Sequence, residues 1–239
     1  MIKIVDKSKC SGCHSCYNIC PKKCIIMKED QEGFWYPEVD VNQCINCGLC
    51  EKRCPILNDM KVDNQPQAYA CYNKDEIIRK GSSSGGVFTL LASLVIEKGG
   101  IVYGATFNNE NMVEHIKVDN INDLNKLRGS KYVQSKIGNT YFEIKDYLNQ
   151  GRPVYFSGTP CQIDGLLAFL NKKYDNLILQ DIVCHGVPSP KVWKKYLEQF
   201  NIEEDANISF RDKSTGWDSY SFTIDQKEKF TQLLSLIHI

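Results

Sequence analysis

The chain has 239 residues, with 29 Lys or Arg balanced by 29 Asp or Glu, so its formal net charge is zero. That length suits one or two domains, and a content of 42% hydrophobic and 24% charged residues is ordinary for a soluble globular protein. Zero net charge supplies no bulk field for nucleic acid, no apolar run has the length of a membrane span, and the polar N-terminus lacks the apolar stretch of a secretory leader; a cytoplasmic protein with no nucleic-acid partner and no membrane span is expected.

In a reducing compartment the twelve cysteines are metal ligands or reactive thiols before they are disulfides. Eight fall into two runs of the same form, C-x-x-C-x-x-C-x-x-x-C-P: Cys10, Cys13, Cys16, Cys20-Pro21, and Cys44, Cys47, Cys50, Cys54-Pro55. Iron in sulfide clusters prefers soft thiolates, and two-residue gaps let three thiolates wrap one face of a cube. Zinc knuckles use paired C-x-x-C ligands, which leaves the third cysteine and the C-P step, each present twice, unexplained. The run holds two 4Fe-4S clusters, with the fourth cysteine of each crossing to the other cluster. Cys10, Cys13, Cys16 and Cys54 are therefore expected on one, and Cys20, Cys44, Cys47 and Cys50 on the other. His14, between ligands, is read as a surface side chain or a support for the ligands, and Cys24 as a buried non-ligand.

Residues 1–60 form this module, which resembles the bacterial two-cluster ferredoxins. Ile2–Val5, Ile25–Met27 and Phe34–Val39 read as short strands, the last pairing with one of the others. The polar, proline-containing stretch 55–67 reads as a linker.

Beyond it the texture changes to strands alternating with amphipathic helices. Ala68–Tyr72 reads as a strand. The Gly81-Ser82-Ser83-Ser84-Gly85-Gly86 loop feeds a helix with Val87, Leu90, Leu91, Leu94 and Val95 on its apolar face, stopped at Gly99-Gly100. A small-residue loop at a helix N-terminus can cradle an anion, and can equally be a plain turn and cap. Strands are expected at 101–105 and 113–118. The segment 128–135 is dense in anion donors, or else a solvated basic turn. A helix over 137–149 buries Ile137, Tyr141, Ile144 and Leu148. Two strand–turn–helix units follow. In the first, strand 154–157 leads through Cys161 to a helix burying Ile163, Leu166, Leu167 and Leu170. In the second, strand 177–183 leads through Cys184 to a helix capped by Ser189-Pro190 and burying Val192, Tyr196, Leu197 and Phe200. The stretch over 208–213 and 216–224 reads as two strands, or as one strand with a bend. The fold class is thus α+β / α/β: a small ferredoxin domain, then an α/β domain with a mixed, partly parallel sheet. Cys161 and Cys184 lie just past strand ends, where α/β folds bind ligands; each can ligate or react there, or serve as a small core hydrophobe.

Across 68–224 the segments Gly81–Phe88, Arg128–Tyr132, Phe156–Gln162, Asp181–Pro190 and Phe210–Lys213 with Gly216-Trp217 resemble the beta subunit family of coenzyme F420 hydrogenases and dehydrogenases. The resemblance implies an FAD-dependent oxidoreductase passing electrons between 4Fe-4S clusters and a deazaflavin or other small-molecule acceptor or donor, alongside a redox partner subunit. It implies that Ser82, Ser83, Ser84, Gly85, Gly86, Ser130 and Lys131 help hold FAD. It places Cys161 and Cys184 near the redox centre as catalytic candidates, with a further 4Fe-4S cluster possible there. Residues 67–150 and 151–233 become the two parts of the flavin-binding region, the second incomplete. Residues 234–239 read as a sequencing-adapter scar on a truncated chain. The competing expectations are a non-enzymatic ferredoxin-type adaptor, and a radical or thiol enzyme using Cys161 and Cys184 directly.

Overall fold

The computed structural model describes residues 1–58, 65–200, 202, 206–214, 216–225 and 230–233; the suspected scar at 234–239 lies outside the described residues. In the N-terminal module, helix α1 (Ser15–Ile19) follows the first two cysteines and contains the third. The hairpin β1 (Ile25–Glu29) and β2 (Trp35–Val39) pairs antiparallel, with Ile25 opposite Val39, and the short helix α2 (Leu49–Lys52) follows Cys47. Among its described residues the module's buried core is Ile2, Cys24, Ile25 and Cys50. So small an apolar centre needs metal to hold it together. Ile2–Val5 forms no strand; Ile2 instead donates its N–H to Cys50 Sγ at 3.2 Å.

The second region starts with an exposed, irregular stretch over 68–72 in place of the expected strand. Its residues find no ladder partner, and Tyr69 is 80% exposed. Helix α3 (Glu76–Lys80) is capped by Asp75, which accepts from Ile77 and Ile78 N–H, and helix α4 (Val87–Glu97) follows the Ser/Gly loop. Strands β3 (Ile101–Phe107) and β4 (Val113–Val118), helix α5 (Thr140–Asn149), strand β5 (Val154–Gly158), helix α6 (Pro160–Leu170), strand β6 (Leu177–Asp181) and helix α7 (Pro190–Leu197) then succeed one another. The main sheet runs β4-β3-β5-β6; β3 and β4 are antiparallel, while β3, β5 and β6 are parallel. It is the mixed sheet expected of the α/β part.

Alternation along the strands builds a three-layer core. Ile101, Tyr103, Val154 and Phe156 face α5 and α6, meeting Tyr141, Ile144, Leu166 and Phe169. Val102 and Tyr155 face the other way and meet Ala92 and Val95 of α4. Helix α4 is apolar nearly all round, so periodicity did not fix its buried face. Leu90 and Leu94 are each 48% exposed, while Phe88, Leu91, Ala92, Val95 and Ile96 pack inward. In α7 Trp193 and Leu197 turn inward and Val192 is exposed; Trp193 donates to Asn111 O at 2.7 Å. A second, antiparallel sheet of β7 (Asn207–Asp212), β8 (Ser221–Asp225) and β9 (Phe230–Leu233) packs Ile208, Phe222 and Ile224 against Trp193 and Leu197.

Candidate functional site

The cysteine runs fold into two thiol clusters. Cys20, Cys44, Cys47 and Cys50 line one cavity together with Cys24, Ile25 and Leu49. In the other set, each of Cys13 and Cys16 is destabilised as a thiolate by Cys54 and Cys10, and Cys10 by Cys54, so the four sulfurs lie within electrostatic reach. This grouping is compatible with the two crossed sets expected from the spacing. Burial pushes the free thiol of Cys13 up to about 12 and that of Cys16 higher still. Iron ligation removes those protons outright, and backbone N–H groups of Ser15 and Tyr17 aimed at the two sulfurs favour the thiolates. Among the described residues no three Cys, His, Asp or Glu side chains converge as around a single ion; a cubane binds one thiolate per iron, so its ligands stand further apart. The donors and their environment fit two clusters. Cys24 is 5% exposed and its sulfur lies 3.4 Å from Cys20 Sγ, so it is buried as expected from its position.

The module docks on the second region through its first cluster loop. A Cβ added at Gly165 would lie 2.9 Å from Cβ and 3.1 Å from Sγ of Cys13; only glycine lets α6 approach this closely. Tyr17 donates to Asn139 Oδ1 at 3.3 Å, Asn18 Nδ2 to Gly138 O at 2.9 Å, and Ser189 Oγ to Glu32 O at 2.5 Å. Arg53 also donates to Asn171 Oδ1.

Helix α6 begins at Pro160, so Cys161 belongs to its first turn and not to the preceding loop. Its sulfur is 3.1 Å from Thr159 Oγ1, it precedes Gly165 by one helical turn, and its thiolate would repel that of Cys13. Cys184 is exposed, three residues past β6, in the irregular stretch before α7. The two sit past the ends of neighbouring parallel strands, Gly158 facing Asp181 in register; the interaction the structure shows for Cys161 across the domain junction is with Cys13.

The Ser/Gly loop and the 128–131 segment come together. Ser130 donates to Ser83 Oγ through its backbone N–H at 2.7 Å and its hydroxyl at 2.8 Å. Ser82 Oγ donates to Ile78 O, Ser84 Oγ accepts from Gly85 N–H, and Gly86 caps α4 without any side-chain hydrogen bond. The first turn of α4 thus has no capping side chain at its N-cap. Lys131 Nζ donates to the carbonyls of Arg128 at 2.9 Å and Lys126 at 3.2 Å; burial lowers its pKa to about 7. Lys213 donates to Ser82 O and lies over the Trp217 ring at 3.5 Å. Arg211 lies over the Tyr220 ring at 4.4 Å, and its Nε is buried with no hydrogen-bond partner among the described residues. Among the described residues Arg128, Lys131 and Lys213 pair with no carboxylate, though Asp75 acts on Arg128 at longer range. Cations that pair with no carboxylate among the described residues, beside serine hydroxyls and helical N–H groups, suit a phosphate-bearing ligand.

Sequence reasoning missed His115. It is buried, with Nδ1 2.6 Å from Ser135 Oγ and Nε2 3.1 Å from Ser157 O. Burial, with Lys131 adding repulsion, lowers its pKa to about 4. Nothing in the local pattern of β4 marked it, because its partners come from two distant segments.

Residues 9–57 match the model of a 4Fe-4S dicluster domain, and residues 151–236 match that of the C terminus of the beta subunit of coenzyme F420 hydrogenase/dehydrogenase. An uncharacterized ferredoxin of Methanocaldococcus jannaschii is 48% identical over 52 residues, covering 22% of this chain and 66% of that protein. The F subunit of the F(420)H(2) dehydrogenase of Methanosarcina mazei is 21% identical over 172 residues, covering 67% of this chain and 48% of that protein. The chain thus spans two thirds or less of these relatives. A solved F420-reducing nickel–iron hydrogenase complex from Methanosarcina barkeri superposes with a TM-score of 0.46 at 18% identity, covering 70% of this chain and 61% of the other. Among the described residues no helix is long and apolar enough to cross a membrane.

Proposed function

The chain belongs to the beta subunit family of coenzyme F420 hydrogenases and dehydrogenases, carrying a 4Fe-4S dicluster domain in front, and from that premise we propose that it is a cytoplasmic, FAD-dependent oxidoreductase subunit relaying electrons between its two clusters and the flavin. The observation that carries this reading is the contact of Cys13 with Gly165: a cluster ligand touches the helix whose first turn holds Cys161. Bound FAD supplies the exchange between single electrons and an electron pair, which iron–sulfur clusters do not perform.

In this reading the chain's residues position and insulate. Cys10, Cys13, Cys16 and Cys54 hold the cluster nearest α6, and Cys20, Cys44, Cys47 and Cys50 hold the outer one. Ser82–Gly86 with Ser130 and Lys131 hold the FAD diphosphate, joined by Lys213 and the open first turn of α4. Cys161 and Cys184 stand where electrons enter the flavin region, as redox-active thiols or as ligands of a further 4Fe-4S cluster. A partner subunit and a small-molecule acceptor or donor, deazaflavin or other, complete the circuit. The domain limits follow the same division, with the module over 1–60 and the flavin region from 67.

The test is anaerobic purification with iron, sulfide and flavin counted on one sample. About eight irons and one flavin per chain support the proposal, and about twelve irons add a third cluster. About eight irons with no flavin, even after incubation with FAD, would return the chain to a pure electron-transfer adaptor.

A further inference from the structure

The two cluster loops repeat one backbone. Gly48 leads into α2 with φ 71° and ψ 1°, and His14 leads into α1 with φ 64° and ψ 7°. Each directly follows the second cysteine of its run. Glycine adopts this left-handed conformation freely, whereas a residue bearing a Cβ is strained in it. The loop facing solvent uses glycine and the loop facing α6 uses histidine.

The histidine carries a second cost. It is 2% exposed, and among the described residues neither Nδ1 nor Nε2 has a hydrogen-bond partner. Its ring is walled edge-on by Tyr17 and Trp35, at centroid distances of 5.8 and 6.1 Å. By contrast Ser15, the next residue and equally buried, gives its hydroxyl to Arg53 O at 2.8 Å. Buried polar groups are almost always paired, and an exception calls for a partner of another kind. Strain and an unpaired buried imidazole thus meet in one side chain, one residue from a cluster ligand.

We propose that a ring N–H of His14 donates a hydrogen bond to a sulfur of the cluster held by Cys10, Cys13, Cys16 and Cys54, and so sets that cluster's reduction potential above that of its twin. The proposal rests on the ligand assignment given above. Reduction adds negative charge to the cluster sulfurs, so a donor aimed at them favours the reduced state. The loop with Gly48 has no side chain to do the same. The electron therefore settles on the cluster touching α6, beside the second region, and not on the outer one. His14 is a tuning residue: it neither binds iron nor touches a substrate.

The test is an anaerobic redox titration of the full chain followed by electron paramagnetic resonance, with iron and sulfide counted, for wild type, His14→Gly and His14→Asn. Glycine removes the donor and relieves the strain, since it reproduces Gly48. Asparagine keeps an N–H donor and tolerates the left-handed backbone. His14→Gly is expected to lower one midpoint only, by about tenfold in that cluster's reduction equilibrium, or ~59 mV for one electron. His14→Asn is expected to keep part of the difference. Unchanged midpoints in His14→Gly at full iron content overturn the proposal. So do equal shifts in both variants, or loss of half the iron from both, since these assign His14 to packing. A failure of the ligand assignment appears separately, as a wild-type protein without two clusters.

Discussion

Ser83 Oγ accepts from both the backbone N–H and the hydroxyl of Ser130, at 2.7 and 2.8 Å, and so ties together two loops 47 residues apart. With both acceptor positions filled from one side, its own hydroxyl hydrogen is left to point at a ligand. Replacing it with a carboxylate, Ser83→Glu, breaks the tie and sets a negative charge among Lys131, Lys213 and the first turn of α4. Apposed like charges cost several kcal/mol, so FAD binding should weaken by at least about a hundredfold. Flavin absorbance per iron in the purified variant measures this, and a stoichiometric flavin would remove Ser83 from the diphosphate site.

Lys131 is expected to make the proposed flavin binding pH-dependent. Burial holds the free ammonium's pKa near 7, far below an ordinary lysine. A bound diphosphate favours the charged form and raises that value. Below pH 7 the lysine is already charged; above it, binding must take up a proton, so the dissociation constant should rise about tenfold per pH unit until the bound-state pKa is reached. His115, lowered to about 4, stays neutral throughout this window. In the ligand-free protein the sign is the mirror image. The unfolded chain keeps the lysine's proton up to about pH 10.4 while the folded one releases it near 7, so stability falls as pH drops through that interval and levels off below it. Titrating FAD at pH 6.5, 7.5 and 8.5 into wild type and Lys131→Met separates this group from the rest: the variant should bind weakly at every pH with the slope gone.

Cys54 should behave as a ligand of the first loop's cluster despite lying in the second run. It acts electrostatically on Cys10, Cys13 and Cys16. Cys54→Ala is therefore expected to remove about four irons and leave the other cluster's signal intact. Cys20→Ala should do the reverse, because Cys20 lines the cavity with Cys44, Cys47 and Cys50. The two variants should differ in which signal survives; loss of the same signal from both would contradict the crossing.

The cluster module was legible because ligation imposes its spacing over a few residues. The sites of β2, α4, α5, α6 and α7 were legible because their patterns are local as well, whereas the choice of β1 as the partner of β2 was left open by the sequence. What the sequence concealed depends on distant partners. Helix α4 has leucines on two faces, and only the position of Val102 and Tyr155 in the sheet selects Ala92 and Val95 over Leu90 and Leu94. Trp193 turns inward to reach Asn111 O, a contact across 82 residues. The candidate anion site shows the same limit. Ser82–Gly86 stood out as a small-residue loop, but Lys213 joins it from β7's far end, and no short-range signal relates them. His14 read as a surface or supporting residue because nothing nearby announced that α6 would cover its loop.

The contact between Gly165 and Cys13 gives the sharpest test of how the module is joined to the rest. In isolation Gly165→Ala should strengthen α6, since alanine is favoured over glycine in a helix by about 1 kcal/mol. Here the new methyl would lie 2.9 Å from Cys13 Cβ, with the Cys13 carbonyl and sulfur each at 3.1 Å, and all three belong to a loop fixed by iron. Such overpacking costs about 1–3 kcal/mol, so the clash outweighs the helical gain and α6 must move away from the cluster. Electron transfer over a widened gap should slow, while the iron content and the core of α6 around Leu166 and Phe169 persist. Stopped-flow reduction of the flavin by pre-reduced clusters reads the first effect and iron counting the second. A variant with wild-type transfer rate and iron content would show that electrons leave the module by another face.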